Sequence, residues 1–224
     1  MDVGELLFWF LVVPAIGYGL AAIWMRWAMR RIAERELGFL RAPGVMSKFL
    51  VLLVLPTTPI LFGLLVAMFV IDAPTNPLTD RVLRWLGLAF GVAAVLVALS
   101  EAWLVVRRRA LPYRGPEFAR VLVLAVIPET VILFTLIVAL QVGVFVVPGP
   151  GEAALSLAEG EALIRASQIM MVGSLSAPLA PILSNRVATL ADKSFSKAVL
   201  LEVVSEIPVI LALALAIQQI AGAR

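Results

Sequence analysis

Residues 126–140 read VIPETVILFTLIVAL, fifteen residues that contain one charge, Glu129. The only basic residue within ten positions on either side is Arg120. An apolar run of this kind predicts a helix that crosses a bilayer. An ionised side chain at the centre of such a helix costs roughly 2.5–3.5 kcal/mol even on the mildest scales. A carboxylate kept there calls for a reason, and the rest of the chain supplies one.

The chain has 224 residues, 62% of them hydrophobic, and a mean hydropathy of +1.05. Six apolar stretches, at 6–28, 49–71, 82–106, 121–147, 168–188 and 198–221, each approach the ~20 residues that span a membrane as a helix. They predict an all-α membrane protein with six transmembrane helices and no soluble catalytic domain. Asp2 and Glu5 stand where a secretory signal would be basic, so the first stretch reads as a span. With no Cys and no His, disulfides and Cys or His metal centres are excluded.

The formal charge of +3 does not point to nucleic acid, because the basic residues follow the connections. Fourteen of the 18 surround the first, third and fifth: Arg26, Arg30, Arg31, Arg35, Arg41 and Lys48; Arg107, Arg108, Arg109, Arg114 and Arg120; Arg186, Lys193 and Lys197. Four lie on the other side: Arg81, Arg84, Arg165 and Arg224. The positive-inside rule then puts these three loops in the cytoplasm and both termini outside it.

The stretch around Glu129 has counterparts. Residues 54–67, VLPTTPILFGLLVA, align without gaps with 126–139, VIPETVILFTLIVA. Pro56 meets Pro128, Thr58 meets Thr130, and Leu61-Phe62 meet Leu133-Phe134. Residues 203–216, VVSEIPVILALALA, align more loosely and place Glu206 on Glu129 and Ser205 on Pro128. These matches predict three parallel helical hairpins, 1–76, 77–150 and 151–224. Two joints are polar and rich in Gly or Pro, DAPTNPLTD at 72–80 and PGPGEAALSLAEGE at 148–161. The first helix of each hairpin carries small residues suited to close approach in lipid: Gly19 within PAIGYGLAA, Gly87 and Gly91, then Gly173 and Ala177. Such faces predict a tight inner layer and a closed oligomer of several copies.

Glu129 and Glu206 each fall about eight residues into their helices, roughly 12 Å deep at 1.5 Å per residue. An acid at that depth is tolerated when it takes up a proton or holds a cation, or when it meets an Arg. One that alternates between these states carries an ion. Pro128 and Pro208 interrupt helix hydrogen bonding beside the two acids. Thr57 occupies the aligned position of the first hairpin and cannot ionise, so that hairpin is expected to be silent. Thr130 and Glu202 read as auxiliary groups. Glu202 lies one turn before Glu206 and is also placed to snorkel or to pair with Lys197. Glu101 reads as an interfacial acid near Arg107–Arg109.

With Gly-bearing first helices and PETVILFTLIVAL in a second, the chain resembles the proteolipid subunit, called c or K, of the rotor ring of V-type and archaeal-type rotary ATPases. The likeness covers nearly the whole chain as three fused hairpins. It implies that Glu129 and Glu206 are the ion-carrying carboxylates and Thr57 the lost one. It implies an inner ring wall of helices 1, 3 and 5, and an outer layer of helices 2, 4 and 6 passing a stator subunit with an essential Arg. The central stalk would meet the loops at 30–48, 107–120 and 186–197. The chain would then be a non-catalytic membrane subunit of an ATP-synthesising or ATP-hydrolysing complex, with no cofactor. Its first helix departs from the family pattern in carrying Trp24, Arg26 and Trp27, and Ser205 stands where the motif has Pro. The transported ion is expected to be H⁺ in preference to Na⁺ at Glu129 and Glu206, since no Gln lies centrally in helices 1, 3 or 5 to complete a sodium shell. Two other classes fit the same acids: a secondary transporter that uses them for coupling, and a structural or assembly membrane protein.

Overall fold

The structure is a computed structural model and describes residues 1–35, 51–52, 54–107, 116–147, 154–184 and 192–222. The connections at 36–50, 108–115 and 185–191, which hold many of the expected cytoplasmic basic residues, lie outside the described residues. So does residue 53 in the second apolar stretch.

The chain is an all-α, multi-pass integral membrane protein. Helix α1 runs through Val3–Leu7, a π-helical turn at Phe8–Val12, and Val13–Arg35. Helix α2 opens with a 3-10 turn at Leu55–Thr57 and continues as Thr58–Val70. Helix α3, Pro77–Arg107, is unbroken. Helix α4 comprises Pro116–Val126 and Glu129–Val146, α5 comprises Leu157–Ser174 and Leu179–Ser184, and α6 comprises Asp192–Ser205 and Ile207–Ala221. Five of them are long and apolar enough to cross a membrane, and α2 is shorter among the described residues.

Prolines account for the breaks. Pro14 has no N–H to offer the Phe10 carbonyl, and the preceding turn widens until the Val13 N–H reaches Phe8, five residues back. Pro56 and Pro59 tighten the start of α2, Pro128 divides α4, Pro178 and Pro181 divide α5, and Pro208 follows the break at Glu206 in α6. The α5 helix begins at Leu157, eleven residues before the apolar stretch that predicts it at 168. A capping box starts it: the Ser156 side chain accepts from the Glu159 N–H, and the Glu159 carboxylate accepts from the Ser156 N–H at 2.7 Å. The last five residues of the joint expected at 148–161 are therefore helix.

Packing brings α3 to the centre, with α1 and α5 on its flanks and α4 against it, while α4 touches both α2 and α6. Contacts advance in the same direction along α1 and α3. The Met1 amino group pairs with Asp80, Glu5 pairs with Arg84 at 2.8 Å, Gly87 and Gly91 receive Trp9 and Val13, and Trp24 meets Trp103 edge-on. Leu78 covers Gly160 at the starts of α3 and α5, and Phe69 covers Gly143 near the ends of α2 and α4. Gly173 lies against Val209 and Ala212 of α6.

In lipid, helices associate by shape and not by solvent exclusion, so missing Cβ atoms decide where they touch. Gly63 lets α2 rest on the Phe10 carbonyl oxygen; any Cβ there would collide with it. Gly19 has open space around its Cβ position, and Gly17, two residues earlier, makes the approach to Val95.

Candidate functional site

The helix breaks of α4 and α6 put a hydroxyl and a carboxyl side by side on consecutive residues, and that of α2 carries two hydroxyls, Thr57 and Thr58. At the start of α4's second half, Pro128 is the N-cap and Glu129 the first helical residue. The next residue, Thr130, donates both its N–H and its hydroxyl to the Ile127 carbonyl, each at 3.0 Å. The same arrangement occurs in α2, where the Thr58 N–H and hydroxyl both reach the Leu55 carbonyl. Pro59 explains it, because Leu55 has lost the N–H four residues on. In α6, Glu206 is itself the N-cap of the second half, and Ser205 donates to the Glu202 carbonyl at 2.6 Å.

Across the helices, these turns interlock. The Thr58 hydroxyl of α2 also lies 3.2 Å from the Glu129 carboxyl of α4, and Glu206 of α6 faces the Thr130 hydroxyl of α4. Each carboxyl thus meets the threonine that stands one place after the aligned acid position of the neighbouring helix. A threonine hydroxyl has one proton and two lone pairs. Thr58 stands 3.2 Å from two acceptors, the Leu55 carbonyl and Glu129. Pointed at the carbonyl, it accepts from a protonated Glu129; turned to the carboxyl, it stabilises the ionised form. The Leu55 carbonyl keeps the Thr58 N–H in either case.

Glu129 is half-buried, whereas Glu206 is 6% exposed. Among the described residues, no cationic side chain pairs with either of them or with Glu101. Thr57 turns its hydroxyl back to the Val54 carbonyl at 2.6 Å.

Two further acids are more enclosed by neighbouring helices than the sequence suggests. Glu101, expected at the interface near Arg107–Arg109, is 1% exposed on α3 and faces the Glu129 carboxyl across the α3–α4 contact. Its two oxygens have no hydrogen-bond partner other than that carboxyl. Its position is legible in one pattern: Phe90, Ala94, Val97 and Glu101 follow at helical spacing, and all four are buried. Glu202 is fully buried, while Lys197 is exposed. Among the described residues no cluster of three or more acidic, His or Cys side chains gathers to hold a metal. An apolar cleft of about 330 Å³ between α1, α3 and α5, lined by Trp24, Trp103 and Pro181, leaves the acids outside its walls.

Comparison with family models, with curated proteins and with solved structures gives no match to this chain.

Proposed function

We propose that the chain is a rotor-ring subunit of a rotary ATPase or ATP synthase, built as three parallel hairpins at 1–76, 77–150 and 151–224, and that it translocates H⁺ at Glu129 and Glu206. The observation that carries this reading is the repeated pair, Thr58 with Glu129 and Thr130 with Glu206, at the breaks of adjacent helices. The helix order supports it: α1, α3 and α5 form one row and α2, α4 and α6 another.

In this reading each carboxyl rides protonated within the membrane, hydrogen-bonded to its threonine, and ionises when a stator Arg comes opposite. The threonine hydroxyl turns with each exchange, so neither state leaves the carboxyl without a partner. Both states use atoms already in place, and one charge crossing a 100 mV potential exchanges ~2.3 kcal/mol with the field. The asymmetry of basic residues favours loops 1, 3 and 5 in the cytoplasm, where the central stalk would meet them, and both termini outside.

A hydrophobic carbodiimide attacks protonated carboxyls within lipid. Peptide mass mapping of the membrane-embedded complex is expected to find Glu129 and Glu206 modified, with ATP-coupled transport lost in step. Sodium at constant pH is expected not to protect them. Strong protection would assign the sites to Na⁺, and no modification of either residue would remove the carrier role and leave a structural one.

A further inference from the structure

Glu101 has no part in the exchange proposed at Glu129, yet it is enclosed in the same site. It comes from the unbroken α3 and is 1% exposed. Among the described residues, the Glu129 carboxyl is the only hydrogen-bonding partner of its oxygens. Ala98 and Val105, one turn to either side of it on α3, belong to a buried apolar cluster with Met25 of α1 and Leu124 and Ala125 of α4. Glu129 is also the one charged or titratable group that faces it: none comes from the described residues of α1, α2, α5 or α6. Helix α2 brings the neutral Thr58 hydroxyl, and brings it to Glu129.

Two carboxyls that meet in such surroundings hold two protons, one or none. The state with none sets two negative charges together with no cation to offset them, and costs most. In the one-proton state the charge falls on one residue or the other. On Glu101 it would have Glu129 as its only donor and almost no access to water. On half-buried Glu129 it is met by the Thr58 hydroxyl at 3.2 Å as well. Solvation and hydrogen bonding therefore send the charge to Glu129 and keep the proton on Glu101. A carboxylic acid kept neutral by an apolar site is a hydrogen-bond donor, and its bond to an anion is stronger than one between neutral groups.

We infer that Glu101 is a positioning residue that keeps its own proton through the transport cycle and donates a hydrogen bond through it to Glu129 whenever that carboxyl ionises. This rests on the proposed carrying role of Glu129. The transported proton leaves Glu129 and returns to Glu129; the Glu101 proton stays where it is and is not carried. An ionised Glu129 thus has two donors, Thr58 and Glu101, from two different helices. Among the described residues Glu206 meets one side-chain donor from another helix, Thr130, so the device belongs to one carrier and not to the other.

The test follows carbodiimide modification of the Glu129 peptide across pH, in native membranes, for the parent protein, Glu101→Gln and Glu101→Leu. Glutamine keeps a donor and leucine has none. In Glu101→Leu, Glu129 is expected to stay reactive to a pH roughly one to two units above the first fall of the parent, the shift that one hydrogen bond to a charge corresponds to. Glu101→Gln is expected to keep the parent's first fall, and the Glu206 peptide of the same molecules to stay unmoved in both variants. A fall that moves to lower pH in both variants would overturn the inference, because Glu101 would then have been an ionised neighbour holding Glu129 protonated. A fall that does not move in Glu101→Leu would overturn it too. Infrared spectroscopy gives a second reading that does not need the leucine variant. Above the first fall, the parent is expected to retain a protonated-carboxyl C=O band that Glu101→Gln lacks; identical bands in the two would overturn the inference. Identical bands with Glu129 and Glu206 both reactive would leave the carrier role standing, and a difference band with neither residue reactive would remove the carrier role alone.

Discussion

Glu129 and Glu206 stand at aligned turns and meet equivalent threonines, yet their surroundings differ. Glu129 is half-buried and shares its site with a second acid, Glu101, from another helix. Glu206 is nearly enclosed, and the neighbouring acid, Glu202, comes from one turn earlier on its own helix. The part that repeats is the hydroxyl–carboxyl pair at a broken helix. The parts that vary are the second acid and the degree of enclosure. A function that depended on enclosure would need the sites alike, whereas one that depends on the pair needs only the pair.

The sharpest way to break that comparison is to neutralise each acid alone. Glu129→Gln and Glu206→Gln are each expected to abolish ATP-coupled transport in reconstituted vesicles, since in the proposed rotor every carrier must pass the stator in turn. A glutamine keeps the shape and the hydrogen bond and loses the exchangeable proton. Thr57→Val at the third aligned position is expected to leave transport intact. Transport surviving one of the two Gln variants would show that the sites do different work.

Much of this was legible in the sequence, and the reasons are specific. Six apolar stretches marked the helices because each span must be apolar over its length. Pro128, Glu129 and Pro208 marked two breaks because proline removes a helix donor wherever it falls. The α5 start was misplaced because Glu159, Glu161 and Arg165 lower its hydropathy, although the Ser156–Glu159 capping box announces a helix in four residues. Glu101 was read by its nearness to arginines along the chain. Its contact with Glu129 depends on which face of α3 meets α4, and a charge count carries no faces. The pairing of Thr130 with Glu206 was out of reach, because it joins helices whose order only packing decides.

The threonines sharpen the comparison at smaller scale. Thr58→Val removes the hydroxyl facing Glu129, and Thr130→Val the one facing Glu206. Each hydrogen bond is worth about 1 kcal/mol net, somewhat more when its partner is charged. Each substitution is therefore expected to change proton exchange at its own carboxyl by about five- to tenfold and to leave the other site unchanged. The rate of carbodiimide modification, followed separately for the Glu129 and Glu206 peptides, measures this. Equal effects of Thr58→Val on both peptides would mean a general loosening of α2 and α4, and the pairs would lose their meaning as separate sites.

The second acids give the smallest effect and the finest distinction. Glu101 and Glu129 approach closely in a medium that holds one negative charge far more easily than two. Such a pair shares a proton and titrates in two linked steps that belong to both residues. Glu101→Gln leaves Glu129 to titrate by itself, so the pH profile of its carbodiimide modification is expected to contract from a broad, two-step curve to a single step. Maximal modification should change by less than about twofold, because Glu129 keeps Thr58 and its helix terminus. The Glu206 profile should not move, since α3 supplies it no acid. Glu101 itself, 1% exposed, is expected to stay unmodified throughout. A Glu129 profile that is single-step in the parent protein and unchanged in Glu101→Gln would reduce Glu101 to a buried acid of the α3–α4 contact and make the two carrier sites alike after all.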